Sequence, residues 1–273
     1  MNVVITDYEY DNIEREKDIF AQAGLELSEY QVKSGQALAD AVRDADAVVV
    51  QYAEMTSDII RQMGHCKMII KYGIGVNNID TAAATEQGIY VCNVPDYGVD
   101  EVSNHAVALL LSLARKLPVL QQTLREGGWG YGRAVPAYRV AGSTLGLVSL
   151  GRIPSLVARK MRGFGVRLLA YDPFVTPQYA AELGVELVDF DTLCRESDYI
   201  SIHCPLTPQT RHLFNKESFR RMKNTAILVN TARGSVVCEK DLIWALEQGE
   251  IAGAGLDVYE QEPLALDSPL LGM

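Results

Sequence analysis

The stretch from Ser143 to Phe174, STLGLVSLGRIPSLVARKMRGFGVRLLAYDPF, constrains this chain more than any other. An apolar run, Leu145 to Leu150, meets a small-residue turn at Gly151. A segment with helical spacing follows, then a second apolar run, Val166 to Tyr171, that ends on Asp172. Two short apolar runs joined through a helix predict a parallel β-α-β unit, because parallel strands need a crossover of a dozen or more residues. A glycine at the strand-to-helix turn lets an anion approach the first free amides of the helix. An acidic residue about 20 residues later, at the tip of the second strand, stands where such units hold a ribose. The unit is therefore read as a dinucleotide-binding frame.

The frame departs from the G-x-G-x-x-G pattern, whose three positions here read Ser149, Gly151 and Pro154. Gly151 is the glycine whose missing side chain admits the phosphates. Ser149 adds a Cβ and a hydroxyl, which the backbone accepts if φ is negative there. Pro154 falls in the first helical turn, where its missing N–H does little harm, although it removes one anion donor. Arg152, followed by Ile153, can compensate by facing the phosphates. Asp172 accepts from ribose hydroxyls and repels a 2′-phosphate, which favours NAD over NADP. The same residues also suit a strand-helix turn with no ligand and an exposed strand-end aspartate ahead of Pro173.

A formal net charge of −10 over 273 residues argues against a nucleic-acid or anionic-membrane partner. The five cysteines, Cys66, Cys92, Cys194, Cys204 and Cys238, include no CxxC pair. Neither a zinc site nor a disulfide framework is indicated, so no metal is expected, and reduced thiols in a cytoplasmic protein are the simplest reading. Met1 leads straight into the strand-like NVVIT, and no apolar run is long enough for a membrane helix.

Along the whole chain short apolar runs alternate with helical stretches, which predicts an α/β protein of two doubly wound parallel-sheet domains. Residues 1–98 form the first, a flavodoxin-like substrate domain. Residues 99–273 form the second, a Rossmann-type nucleotide-binding domain built on the opening stretch. A single long apolar helix over about 99–127 introduces it and is a candidate inter-domain or subunit contact. His105, on that helix, is expected to pack or cap.

Six blocks carry a resemblance: KYGIGVNNID (71–80), PDYGVDEVSNHAVALLL (95–111), the GRI turn with AYDP, HCPLTPQTRHLFN (203–215), NTARGSVV (230–237) and GLDVYEQEP (255–263). Together and in this order they resemble the D-isomer-specific 2-hydroxyacid dehydrogenases, in the branch of phosphoglycerate dehydrogenase-like and C-terminal-binding-protein-like members, over nearly the whole chain. The resemblance implies hydride transfer between C2 of a 2-hydroxy or 2-keto acid and the nicotinamide of NAD, in a homodimer. It implies that Arg233 grips the substrate carboxylate and carbonyl, as a planar guanidinium fork can. It implies that Glu262 orients a histidine and raises its pKa. The amides of Ile74 and Gly75 would hold the carboxylate, with Lys71 adding charge and Tyr52 a further contact. His203, Cys204 and Pro205 would line the adenosine half and Thr210 the phosphates. Thr231, Ala232 and Asp257 would stand by the nicotinamide. Each residue also has a plainer reading: a surface ion pair for Arg233, a backbone-satisfied aspartate for Asp257, an ordinary turn for Tyr72–Gly75, a structural loop histidine for His203.

In the family the acid-base histidine follows the EP dipeptide. Here no histidine follows His212, and the final helix that returns to the first domain is also absent. A shortened form with impaired turnover is therefore expected. A non-catalytic NAD(H)-binding or partner-binding relative is the alternative, and loss of the cofactor through Ser149 and Pro154 is a third.

Overall fold

The computed structural model describes residues 1–273 and divides them into two compact units, Met1–Tyr97 and Gly98–Met273. In the first, β1 (Asn2–Ile5), α1 (Glu14–Gln22), β2 (Glu26–Glu29), α2 (Gly35–Val42) and β3 (Ala47–Val50) are followed by α3 (Ser57–Ile60), β4 (Met68–Lys71), α4 (Thr81–Glu86) and β5 (Tyr90–Cys92). All four strand pairings are parallel, in the order β2-β1-β3-β4-β5, the flavodoxin-like doubly wound arrangement. A strand with helices on both faces has no solvent side, which is why β3 reads AVVV and is buried throughout. Its alternate residues serve separate cores. Val48 and Val50 join Leu38, Val42 and Ile60. Ala47 and Val49 join Val3, Ile5 and Ile13.

The second unit opens with two helices, α5 (Val99–Ala114) and α6 (Leu117–Arg125), where the sequence predicts one. The break has a local cause. Proline at 118 has no N–H to donate and its ring collides with the carbonyl four residues back, at Ala114, where α5 stops. Lys116 turns the chain through left-handed backbone, φ 56°.

Then follow β6 (Thr144–Val148), α7 (Arg152–Arg162), β7 (Arg167–Tyr171), α8 (Pro177–Glu182), β8 (Glu186–Leu187), α9 (Phe190–Glu196) and β9 (Tyr199–Ile202). The unit closes with α10 (Lys216–Arg221), β10 (Ile227–Asn230), α11 (Glu239–Gln248) and β11 (Gly253–Leu256). The sheet is parallel throughout, in the order β11-β10-β9-β6-β7-β8. Counted from β6 this is the 3-2-1-4-5-6 order of the dinucleotide fold, and its winding reverses between β6 and β9. Leu145, Leu147 and Leu168 pack one face under α5 and α7. Val148, Ile200 and Leu228 pack the other with Phe214 and Phe219. Ligands of such sheets bind at the carboxyl ends of the strands beside the reversal.

Candidate active site

In the second unit the expected residues gather on the loops that leave the carboxyl ends of β6, β7, β9, β10 and β11. The turn after β6 is fastened to the end of β7. Ser149 N donates to the Tyr171 carbonyl at 2.8 Å, and Leu150 N donates to Asp172 Oδ2 at 2.8 Å. The Ser149 hydroxyl donates to the same oxygen at 3.1 Å, and Phe174 N donates to Oδ1 at 2.8 Å. Ser149 does not meet the condition of a negative φ: it stands at +80°, in the left-handed region that glycine at this position would occupy without strain. The hydrogen bond to Asp172 compensates. Asp172 is thus already a structural acceptor for its own turn.

Beyond this turn the amides of Gly151, Arg152 and Ile153 have no acceptor within the chain, as befits the first positions of α7. Pro154 is buried and supplies no N–H. The Ser155 hydroxyl closes back on the Gly151 carbonyl at 2.7 Å. A Cβ built on Gly151 meets nothing within 4 Å. Three amides without an acceptor in the chain therefore stand at a helix N-terminus, beside the open space at Gly151 and with an acidic residue at the neighbouring strand tip. That is the shape and charge that a pyrophosphate and a ribose require.

The loop after β9 is more structural than its motif implies. His203 N donates to the Val148 carbonyl at 3.0 Å, and its Nε2 lies 2.8 Å from the Ser201 hydroxyl. Burial pushes its imidazole down to about 3, so the ring is neutral at pH 7 and bears no charge toward a phosphate. Cys204 turns its side chain into the core and burial pushes its thiol up to about 11, so only its main chain is left for a ligand. Pro205 is exposed, and its carbonyl accepts from the Thr210 hydroxyl at 2.7 Å. That hydroxyl also receives Thr207 N at 2.8 Å. Thr210 therefore holds the loop closed.

The turn after β10 is pinned by Asn230, a buried side chain that the sequence pattern did not single out. Its Oδ1 accepts from Ala232 N at 3.0 Å and its Nδ2 donates to the Arg233 carbonyl at 3.0 Å. The Thr231 hydroxyl is buried with no hydrogen-bond partner. Native interiors seldom leave such a group unpaired, and the Ser197 hydroxyl is the other buried one without a partner. Arg233 Nη1 bonds the Ala232 carbonyl at 2.6 Å. Gly234 fixes the approach of the next segment: a Cβ there would stand 1.8 Å from the Tyr259 carbonyl oxygen.

After β11, Asp257 N donates to the Asn230 carbonyl at 3.0 Å, while its carboxylate lies 3.3 Å from His105 Nε2 on α5. His105 is exposed and stands beside a site residue, and is not the packing or capping residue expected. Nothing in the local pattern could show it, since the two residues meet only across the fold. Glu262 accepts from Tyr259 N at 3.0 Å, closing its own turn. Among residues 1–273, His105 pairs with Asp257, His203 with Ser201 and His212 with Glu260. No hydrogen bond joins a histidine to Glu262.

The first unit presents its own loop cluster. Ile74 and Gly75 have amides without an acceptor in the unit, whereas the Tyr72 and Gly73 amides are spent on Val50 and Lys71 carbonyls. Lys71 is nearly buried, bonds the Gln51 carbonyl through Nζ and lies 5.7 Å from the Tyr52 ring centroid. The residue that organises this cluster is Asp7, fully buried where the winding reverses between β1 and β3. Its carboxylate accepts from Tyr52 N at 2.6 Å, Ala53 N at 3.1 Å and Gln51 N at 3.2 Å, and from the Thr6 hydroxyl at 2.8 Å. The sequence reading missed it.

Comparison with known proteins decides the family. Residues 107–273 match the family model described as D-isomer specific 2-hydroxyacid dehydrogenase, NAD binding domain. The chain is 43% identical to a glyoxylate reductase of Korarchaeum cryptofilum over 242 residues, 87% of this chain and 73% of that one. It is 41% identical over 251 residues to a D-3-phosphoglycerate dehydrogenase of Methanocaldococcus jannaschii, covering 90% of this chain. The chain belongs to the D-isomer specific 2-hydroxyacid dehydrogenases.

The chain spans about half the length of the phosphoglycerate dehydrogenases that it matches, 48% in two of them. In three dimensions it is similar to the D-lactate dehydrogenase of Aquifex aeolicus solved with NAD and lactic acid. The TM-score is 0.89 at 30% identity, over 97% of this chain and 82% of that one. The family is one of NAD-dependent oxidoreductases, and the second unit of this member carries its NAD-binding domain. No helix is long and apolar enough to cross a membrane.

Proposed function

We propose that this member exchanges hydride between NAD(H) and C2 of a small 2-hydroxy or 2-keto acid. The observation that carries the reading is the set of amides at Gly151, Arg152 and Ile153 that have no acceptor in the chain, at the start of α7 and beside Asp172. Bound there, the dinucleotide supplies the hydride donor and acceptor. The residues that would hold it are those three amides on the pyrophosphate, Asp172 on the adenosine ribose, the main chain of 203–205 beside the adenine, and Thr231, Ala232 and Asp257 around the nicotinamide. The buried orphan hydroxyl of Thr231 is what the carboxamide would satisfy. NAD is favoured over NADP because a carboxylate at this strand tip accepts from ribose hydroxyls and repels a 2′-phosphate. Arg233 is the cation of the second unit for a planar carboxylate, and Ile74 and Gly75 are the anion donors of the first, with Lys71 adding charge beside Tyr52.

Residues 1–273 bring no histidine to Glu262, so within them the proton-transfer half of the reaction has no built partner. We propose slow turnover for these residues alone, since general acid-base help is worth about 10²–10⁴ in rate. The same observation favours the second reading, a relative that binds NAD(H) without turnover. Exposed apolar side chains cluster on and after α6, with Trp129 93% and Tyr131 77% exposed, which supports a homodimer through this segment. Five free thiols suit a reducing, cytoplasmic setting.

The test is a fluorescence titration of the 273-residue protein with NADH. Saturable binding that survives Arg233→Ala and weakens with Asp172→Ala supports cofactor binding. Turnover with glyoxylate or another small 2-keto acid that collapses in Arg233→Ala supports the enzyme over the non-catalytic reading. Absence of binding at millimolar NADH would refute both.

A further inference from the structure

Three metal-ligating side chains that are distant in sequence meet in the second unit: His212, Cys238 and Glu260. Their ligand atoms all lie within 4.8 Å of one another, and all three residues are partly buried. Their backbones are held independently of any metal. The segment around Phe214 forms a parallel bridge with Val237. His212 N donates to the Ser235 carbonyl at 2.9 Å, Phe214 N to that of Val236 at 3.1 Å, and Cys238 N to that of Phe214 at 2.8 Å. This ladder sets His212 and Cys238 side by side. Glu260 is held by a reciprocal pair: Glu239 N donates to its Oε2 at 2.9 Å, and its own N donates to Glu239 Oε2 at 3.3 Å. Its other oxygen, Oε1, lies 2.5 Å from His212 Nε2.

We infer that His212, Cys238 and Glu260 form a binding site for one Zn²⁺ ion, with water as the fourth ligand. Bonds of about 2.0–2.3 Å to N, O and S in a tetrahedron place ligand atoms roughly 3.4–3.6 Å apart. The site reaches that spacing if the His212–Glu260 contact opens by about 1 Å and the longer separations close, movements that side-chain torsions supply. One imidazole, one thiolate and one carboxylate select zinc-like ions over magnesium or calcium, which take oxygen alone. On binding, the thiol proton passes to solvent and the Sγ–metal bond replaces the S–H bond. The ion would tie the start of α11 and the loop 207–214 to the segment that carries Asp257 and Glu262. This inference does not depend on the dehydrogenase reading.

The experiment uses the metal alone. EDTA-treated, desalted 273-residue protein is titrated with Co²⁺, and Zn²⁺ is then added in competition. The site predicts saturation at one equivalent, a thiolate-to-cobalt charge-transfer band, tetrahedral visible bands and their loss to Zn²⁺. Cys238→Ser should abolish the charge-transfer band. His212→Asn should weaken uptake at least tenfold, and asparagine suits the φ of 52° that His212 holds, so the loop keeps its path. Cys92→Ser, at an exposed thiol, should change nothing. A band that survives Cys238→Ser and vanishes with Cys92→Ser would overturn the assignment. So would failure of the unsubstituted protein to take up either ion at micromolar concentration.

Discussion

Replacing Ser149 with glycine separates the two jobs now shared by one turn. A non-glycine residue in left-handed backbone carries about 1–3 kcal/mol of strain, and Ser149 sits at φ +80°. Against this, its hydroxyl donates to Asp172 Oδ2 at 3.1 Å, and a hydrogen bond to a charged acceptor is worth about 1.5–3 kcal/mol. Glycine also loosens the unfolded chain by about 0.4–1 kcal/mol. These contributions nearly cancel, so the melting temperature should move by no more than about 2–4 °C. Cofactor affinity should move further. A carboxylate offers about four acceptor directions, and Ser149, Leu150 and Phe174 occupy three of them. A ribose presents two hydroxyls, so one must compete with Ser149. Freeing that direction lets a ribose hydroxyl donate to the carboxylate, worth about 1.5–3 kcal/mol by the same measure, or at least about tenfold in Kd. NADH fluorescence titration of Ser149→Gly at fixed ionic strength, beside a thermal melt, checks this. An unchanged or weaker Kd with an unchanged melt would refute the reasoning.

Gly234→Ala should be the most damaging single methyl in the second unit, because its Cβ would lie 1.8 Å from the Tyr259 carbonyl oxygen and backbone must move. A loss above about 3 kcal/mol in urea unfolding is expected, and a wild-type curve would show that the segments are less closely seated. Asp7→Asn keeps the shape but turns an NH₂ toward the amides that one carboxylate oxygen now accepts. It should destabilise the protein by about 3 kcal/mol in the same assay, and a change below about 1 kcal/mol would contradict the role given to Asp7. His203 stays neutral in the fold down to about 3, below its ordinary range. Between about pH 6.5 and 3 the unfolded chain therefore binds a proton that the native one refuses. Stability falls as pH drops through that window, by up to about 1.4 kcal/mol per unit for this group. His203→Gln should flatten the acid limb of a stability–pH profile, and identical profiles would show that the ring is not kept neutral.

The strands and their order of appearance were legible because each buried parallel strand is a short β-branched or aliphatic run, as AVVV at β3 and LGLV in β6 show. Alternation and right-handed crossovers made the doubly wound parallel architecture legible, while the strand orders are read from the fold. The helix over 99–127 was misread because apolar spacing continues through Lys116 while the backbone does not. Pro118 was the available signal. On the site, the spacing of Gly151 and Asp172 sets both at neighbouring strand ends, where the Leu150 amide donates to Asp172. What a single sequence could not show is which partner already holds a side chain. The Thr210 hydroxyl is engaged by its own loop, the Cys204 side chain by the core and one Glu262 oxygen by the Tyr259 amide. Asp7 and Asn230 look like ordinary polar residues after a strand until the fold brings amides to them.

The departure at Ser149 and the placement of Asp172 are one feature. A glycine at the first position would leave the turn free of strain and Asp172 free for ribose. A serine there strains the turn and then anchors it to Asp172 by the hydroxyl that caused the strain. The phosphate end of the site is indifferent to this exchange, because it rests on the main-chain amides at 151–153 and on the missing side chain of Gly151, neither of which involves Ser149. Pro154 subtracts one donor from that set and leaves those three. The glycine pattern is therefore a poor guide to whether a dinucleotide binds here. The better guide is which amides and which carboxylate oxygens remain unpaired once the turn is folded, and in this chain the answer is three amides and one acceptor direction on Asp172.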